Sequence, residues 1–537
     1  MDPLSSFSQS TIYNVVIQIV FRFSTFFLNA ALLRFITKET LGIVNVRLLL
    51  LYSTLSFCAR EPFRKACLTS GQQQHDWKKT INVLWICPLV CLSLGLVFGL
   101  IWTFLLTRPS LATASNYDLA VVCFAVSIFI ESLAEPLWIV GQSFLFVKLK
   151  ACAEAVMVCL RSILYFLFTV WLSRTYGLAA FGLAMIISSL LFTFLYYGYF
   201  IYILTKRHSG AVDFHRNFAS LSDLLPSSAA GVDSRVLALT WSFWSHSVFK
   251  QILTEGERYV MTFTNVLQFA DQGVYDIVNN LGSLVARLLF APIEESAYTF
   301  FCLTLARDKP PLEQNKEQFI LATQTLCALL KFVTLCGLII CTFGIPYSFL
   351  ALKLYGGDLL IYGEGPKLLR FYCFYVVLLA TNGVTECFCF SLMSNHQVKR
   401  HQKMLLIFCA CFLVTAWLLT RVLGSVGFIL ANCCNMLLRI LYSCQFIHHF
   451  YRATPHRPLL NFIPDLNVAA VLVFGLIAML GSQMVFCCDG FFNSAAHVIV
   501  GLVFLILALT TIYTKEIELI NFIWNNFIKR KVKSRSD

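Results

Sequence analysis

About fourteen stretches of roughly twenty apolar residues follow one another along this chain, from residues 12–36 to residues 494–514. That succession constrains the fold more than any motif. Inside lipid no water satisfies backbone amides and carbonyls, so a spanning segment is an α-helix or a strand of a closed barrel. A barrel strand needs only about ten residues with alternating polarity. Continuous apolar runs twice that long predict an all-α polytopic membrane protein. Charged residues make up only 13% of the 537 residues, about half the share of a soluble domain. The start MDPLSSFSQS has no basic segment and no cleavage site, so the first span is expected to remain in the mature protein.

The net charge of +13 could suggest nucleic acid, but its placement argues for topology. If loops alternate sides, one set holds Arg60, Arg64, Lys65, Lys78, Lys79, Lys148, Lys150, Lys206, Arg207, Arg216, Arg235, Arg307, Lys309, Lys316, Lys399, Arg400, Lys403, Arg452, Arg457 and the basic tail. The other holds only Lys38, Arg108, Arg174, Lys353, Lys367, Arg370 and Arg421. By the positive-inside rule both termini are predicted to be cytoplasmic. The excess charge then serves orientation and attraction to anionic lipids, and no nucleic-acid partner is expected. Most of the 21 cysteines lie within spans, where Cys behaves as a small apolar residue. Adjacent Cys487 and Cys488, at a span end, are expected to be unbridged. No zinc-ligand spacing occurs, and no cofactor is expected.

The sequence also repeats itself. Gly42 answers Gly273 at an offset of 231 and Glu61 answers Glu294 at 233, whereas Glu135 with Glu386, Val147 with Val398 and Lys148 with Lys399 share an offset of 251. Two pseudo-symmetric six-helix lobes follow, in the same orientation, as in transporters built from parallel repeats. The predicted divisions are an N-lobe at 1–204, a cytoplasmic linker at 205–240, a C-lobe at 241–450, and two further spans with a basic tail at 451–537. The jump in offset calls for extra length in the second half, and an extended loop at Leu350–Lys367 is the expected source.

Charges interrupt the spans in a pattern. In residues 251–296, Gln251, Glu255, Arg258, Thr262 and Asn265 follow helical steps, and Asp276, Asn280, Ser283, Arg287 and Glu294 fall on one side of the next helix. The first two spans carry comparable stripes, one with Arg22 and one with Arg60, and Arg34 and Arg47 are expected near the lumenal ends of their helices. Span twelve adds Arg439. A charge at mid-bilayer costs about 2.5–3.5 kcal/mol on insertion scales, so such stripes must face one another, a cavity or a ligand. The expected acidic neighbours are Glu61 for Arg60, Glu255 or Glu257 for Arg258, and Asp276 or Glu294 for Arg287. Guanidinium groups in a low-dielectric cleft suit phosphate. The candidate substrate-binding residues are Arg22, Arg34, Arg60, Arg64, Glu257, Arg258, Asp276, Asn280, Arg287, Glu294 and Arg439. Glu131, Glu135 and Glu386 are candidates for proton coupling. The chain has no P-loop, HEXXH or nucleophile elbow and is not expected to be an enzyme.

The segments NVRLLLLYSTLSFCAREPFRKACL, LTWSFWSHSVFKQILTEGERYVMTF, FADQGVYDIVNNLGSLVARLLFAPIEES, NGVTECF and GSVGFILANCCNM resemble the eukaryotic dolichol-linked oligosaccharide translocation proteins of the endoplasmic reticulum. That family is similar in fold to the multidrug/oligosaccharidyl-lipid/polysaccharide exporters. The resemblance implies fourteen helices in two lobes, with the last pair shaping a groove for an isoprenoid tail. It also implies movement of the heptasaccharide (five mannose, two N-acetylglucosamine) pyrophosphoryl dolichol from the cytoplasmic to the lumenal leaflet for N-glycosylation. Contacts with membrane enzymes of the glycosylation pathway are a further expectation. An alternative is a scaffold or lipid chaperone that supports glycolipid supply without transporting it.

Overall fold

The computed structural model describes residues 26–523 apart from 71–75, 110–114, 145, 173–175, 207–211, 229, 308, 461–462 and 487–489. Arg22, Cys487, Cys488 and the basic tail lie outside the described residues. The described residues are helical and contain no strand. They form two compact units, divided between Gly273 and Val274.

The first unit holds α1 (Lys38–Gly42), α2 (Leu49–Ser70), α3 (Trp77–Leu84), α4 (Ile86–Leu100), α5 (Tyr117–Leu133), α6 (Glu135–Ser143), α7 (Val147–Trp171), α8 (Ala179–Lys206), α9 (Val212–Asn217) and α10 (Ser234–Thr264). The division falls inside α11 (Phe269–Val285). The second unit continues with α12 (Ala291–Thr304), α13 (Lys316–Gly356), α14 (Asp358–Ile361), α15 (Gly365–Leu392), α16 (Asn395–Leu423), α17 (Val426–Tyr451), α18 (Leu466–Phe486), α19 (Phe491–Lys515) and α20 (Ile517–Ile523).

Ten helical stretches among the described residues are long and apolar enough to cross a membrane, or eleven if α5 and α6, bent by 41° at Ala134, form one span. The expected windows outside this set are the ones that carry charge or start early. Window 12–36 lies partly outside the described residues. Windows 241–264 and 272–303 are helical, but Lys250, Glu255, Glu257, Arg258, Asp276, Arg287, Glu294 and Glu295 interrupt their apolar runs.

The expected loop at Leu350–Lys367 is not there. With no break before Gly356, α13 runs for 41 residues, started by Asn315, whose side chain accepts from the amides of Glu317 and Gln318. Only α14 and a short turn separate it from α15. The extra length of the second half is therefore helix as well as turn.

Between α8 and α10 the polar segment packs onto the first unit. Phe214 and Phe218 are almost fully buried in an aromatic cluster with Trp77, Phe144 and Phe200. Helix α10 then lies along α2, with Gln251 donating to Ser53 Oγ at 3.3 Å and Tyr259 sharing a 2.7 Å hydrogen bond with Thr54. Where α1 meets α11, backbone touches backbone: a Cβ on Gly42 would sit 1.9 Å from the Phe269 carbonyl oxygen, and one on Gly273 would sit 2.5 Å from that of Lys38. Glycine is required at both.

In the second unit, a polar knot joins α18 and α19 to α13. Tyr347 OH donates to the His497 carbonyl at 2.6 Å, its ring stacks on the His497 imidazole, and Ser482 lies 2.9 Å from His497 Nδ1.

Candidate functional site

Each unit contains a charged cluster built on counterpart helices. In the first unit, Arg60 and Arg64 stand one turn apart on α2 and face Glu131 and Glu135, one turn apart across the α5–α6 bend. Arg60 Nη1 lies 2.9 Å from Glu131 and its Nε lies 2.7 Å from Glu135. Arg64 donates to both oxygens of Glu135 and lies over the Trp138 ring at 3.8 Å. Arg161 of α7 approaches Glu131 at 3.3 Å, and Tyr52 and Ser189 donate to the same carboxylate at 2.8 Å. Both carboxylates are 1% exposed or less and Arg60 is 7% exposed at its side chain, so the carboxylates are shielded from water and their charge is met. Sequence reasoning paired Arg60 with Glu61, its neighbour in the chain. Successive helical residues point 100° apart, and Glu61 instead approaches Lys65 and Lys250.

The second unit opens where the first is closed. A cleft of about 770 Å³ is lined by the wide helical turn Ala286–Phe290 and by α12, α15, α16, α17 and Arg307. It brings together Arg287, Glu294 and Arg439 from the sequence-derived set, and adds Tyr298, Glu295, Arg307 and Glu386. Glu386 accepts from Arg439 Nη2 at 2.5 Å and from Asn382 at 3.0 Å, and lies 3.4 Å from His401 Nε2. Its charge is met. Glu294 makes no ion pair or hydrogen bond among the described residues. It occupies space that Gly383 leaves free, since a Cβ there would fall 1.7 Å from Glu294 Oε1.

Two cations of the cleft have only neutral acceptors. Arg287 donates to the carbonyls of Asn280 at 2.8 Å and Ser283 at 3.4 Å. Arg307 donates to Ser391 O, Phe390 O and Tyr298 OH, each at 3.3 Å. Neither forms an ion pair among the described residues. Their guanidinium charge is held in place by dipoles and remains available to an anion. Arg287 sits in the wide turn Ala286–Phe290, a local departure from regular helix of the kind that re-aims side chains at functional sites. Arg307 was read from sequence as a loop residue. The end of α12 just before it was the available signal, because it lets the chain fold back over the helix.

The remaining candidates lie elsewhere. Arg34 is exposed. Arg258 pairs with Glu255 at 3.0 Å on α10, beside a half-buried Glu257. Asp276 is 3% exposed and accepts from Asn280 at 3.0 Å. Arg47, outside the candidate set, is fully buried; it donates to Thr107 Oγ1 and to Asn265 Oδ1 at 2.8 and 2.9 Å. Among the described residues, no group of three or more His, Cys, Asp or Glu could hold a metal.

The family model described as "Rft-1: Rft protein" matches residues 6–526. The chain belongs to the Rft-1 family. Among its relatives, the Man(5)GlcNAc(2)-PP-dolichol translocation protein RFT1 of Mus musculus is 46% identical over 515 residues, covering 95% of this chain and 94% of the relative. The protein of the same name from Xenopus tropicalis is 44% identical over 520 residues, covering 96% of each. Two solved structures share the fold of this Rft-1 chain at 13% identity. The lipid II flippase MurJ in an inward closed conformation has a TM-score of 0.61 and covers 94% of this chain and all of its own. An inward-facing multidrug resistance MATE family transporter has a TM-score of 0.56 and covers 80% and 96%.

Proposed function

We propose that this Rft-1 family member translocates pyrophosphoryl-dolichol-linked heptasaccharide (five mannose, two N-acetylglucosamine) from the cytoplasmic to the lumenal leaflet of the endoplasmic reticulum membrane, with both termini cytoplasmic. The relatives' names supply the substrate. The observation that carries the chemistry is the cleft of the second unit, where Arg287 and Arg307 have no carboxylate partner among the described residues, beside Arg439, which Glu386 only partly occupies. A pyrophosphate offers several anionic oxygens to such donors, and charge-assisted hydrogen bonds to it are each worth about 1.5–3 kcal/mol. Glu294, with no partner among the described residues, opposes the anion and aids its release. Asn280 lies one turn from Ser283, and both lend their carbonyls to Arg287. Arg60 and Arg64 act through rigidity, because their charge is already met by Glu131 and Glu135.

The test is reconstitution of purified protein in liposomes containing the glycolipid, with a lectin that reports which leaflet exposes the glycan. The parent protein is expected to raise exchange above the empty-liposome rate, and the variant Arg287→Ala/Arg307→Ala to lower it roughly tenfold or more. A parent that leaves exchange at the empty-liposome rate would support a scaffold and overturn the reading.

A further inference from the structure

A pocket of about 460 Å³ opens on the first unit, where the turn between α10 and α11 meets Glu39 of α1 and Thr107. Its wall is organised from behind by Arg47. That guanidinium is fully buried and forms no ion pair among the described residues. Its Nη1 donates to the Thr107 carbonyl, its Nη2 donates to Thr107 Oγ1 at 2.8 Å and to Asn265 Oδ1 at 2.9 Å, and the group lies 4.5 Å from the centre of the Phe269 ring. Thr107, Asn265 and Phe269 all line the pocket. A buried cation that meets only neutral groups is costly to keep, and here it fixes three pieces of one wall.

The fixed wall leaves particular atoms open. Asn265 Oδ1 accepts from Arg47 and also from Thr107 Oγ1 at 2.8 Å, so the amide nitrogen of this exposed side chain remains as a donor with no partner among the described residues. Gln272 Nε2 donates to the Leu267 carbonyl at 2.8 Å, which leaves Oε1 as its acceptor. That side chain is 1% exposed, and the oxygen has no hydrogen-bond partner, an arrangement rare enough in folded proteins to call for one. Glu39 and Gln268 add a carboxylate and a carboxamide whose side chains hold no hydrogen bond or ion pair among the described residues. With Arg47 sealed behind the wall, no cation lines the pocket, which disfavours an anion. Glu39 alone falls short of the oxygen set of a metal ion. A sugar ring matches what is left: each hydroxyl both donates and accepts, and the C–H face of the ring packs on an aromatic surface such as Phe269. The volume is that of a small-molecule site, about 300–1,000 Å³. Two of the chain segments carry Lys38 and Arg108, which the loop charges place on the sparsely basic side; with the termini cytoplasmic as proposed, that side is lumenal.

We propose that this pocket binds a neutral sugar ring of a glycan on the lumenal side of the membrane, with Asn265 donating to its hydroxyls and Gln272 and Glu39 accepting from them. That the ring belongs to the glycan of the translocated lipid rests on the reading above, whereas the sugar chemistry rests on the pocket alone. The pocket shares no residue with the Arg287 cleft.

The experiment uses the full chain, purified in detergent. It is titrated with the free heptasaccharide (five mannose, two N-acetylglucosamine), carrying neither pyrophosphate nor dolichol, with sorbitol as an open-chain polyol, and with calcium chloride, and binding is followed by isothermal calorimetry. The free glycan is expected to bind saturably, and sorbitol at least about fivefold more weakly, because its chain must be ordered on binding. The variant Glu39→Ala/Gln268→Ala should weaken glycan binding at least about tenfold with an unchanged melting temperature, since these two side chains hold nothing else among the described residues. Glu39→Gln, which keeps a hydrogen-bonding group in place, should weaken it by no more than about fivefold. No binding by the parent, equal binding of sorbitol, or undiminished binding by the alanine variant would overturn the proposal. Saturable calcium binding that excludes the glycan would assign the pocket to a cation and overturn the sugar. The readout does not depend on translocation: a parent that binds the free glycan but leaves lipid exchange at the empty-liposome rate would support the sugar pocket while the transport reading failed.

Discussion

The Glu135 cluster of the first unit and the Glu386 cluster of the second stand at matching sequence offsets, and four exchanges make them different. At the same offset of 251, Glu131 of the first becomes Asn382 of the second. At an offset of 250, Ser189 becomes Arg439. At 233, the positions of Arg60 and Arg64 become Ile293 and Ala297, with Glu294 beside them. In the first unit, cations from α2 and α7 saturate two buried carboxylates. In the second, one cation from α17 meets one carboxylate, Arg439 is 26% exposed at its side chain, and a cleft opens. One framework thus yields a closed structural lock and an open polar site, according to which helix supplies the guanidinium.

The lock should be the harder to remove. Glu135→Gln leaves two guanidinium groups without their shared counter-charge in a dry site, and unfolding free energy should fall by about 3–5 kcal/mol, measured by thermal unfolding in detergent. Glu386→Gln should cost only about 1–2 kcal/mol, because Arg439 can turn toward the cleft. Equal losses in the two variants would break the contrast. Asn382→Glu restores the second carboxylate of the first unit. It should neutralise Arg439 and slow glycolipid exchange several-fold while the fold persists, as read by the lectin assay alongside the melting curve. The smallest effect is expected of Gly383→Ala. The intruding Cβ meets only the end of a flexible Glu294 side chain, so stability should drop by about 1 kcal/mol or less, with a measurable change in exchange rate if the placement of Glu294 matters.

Helical class and the positions of most spans were legible in the sequence because continuous apolar runs leave the backbone few options. The offset of 251 also paired Glu135 with Glu386, and each carboxylate lies in a charged cluster of its own unit. The partners of those carboxylates were not legible. Arg60 was assigned to its sequence neighbour Glu61, whereas its carboxylates lie on α5 and α6, more than seventy residues away. Arg307 was missed because span composition ends before it, while its position depends on the chain turning back at Leu305. Arg287, Glu294 and Arg439 were found as charge within apolar segments, but nothing in their spacing distinguished them from Arg60 and Arg64, whose charge is met by Glu131 and Glu135.

Lys331 and Lys353 of α13, about 33 Å apart along the helix at 1.5 Å per residue, also set a preferred environment. A bilayer markedly thicker than their separation would draw one ammonium group into oil, and the helix could escape only by tilting upright or by thinning the lipid around it, at a fraction of a kcal/mol per ångström of mismatch. The protein should therefore partition toward thin, sterol-poor membranes and lose activity as acyl chains lengthen.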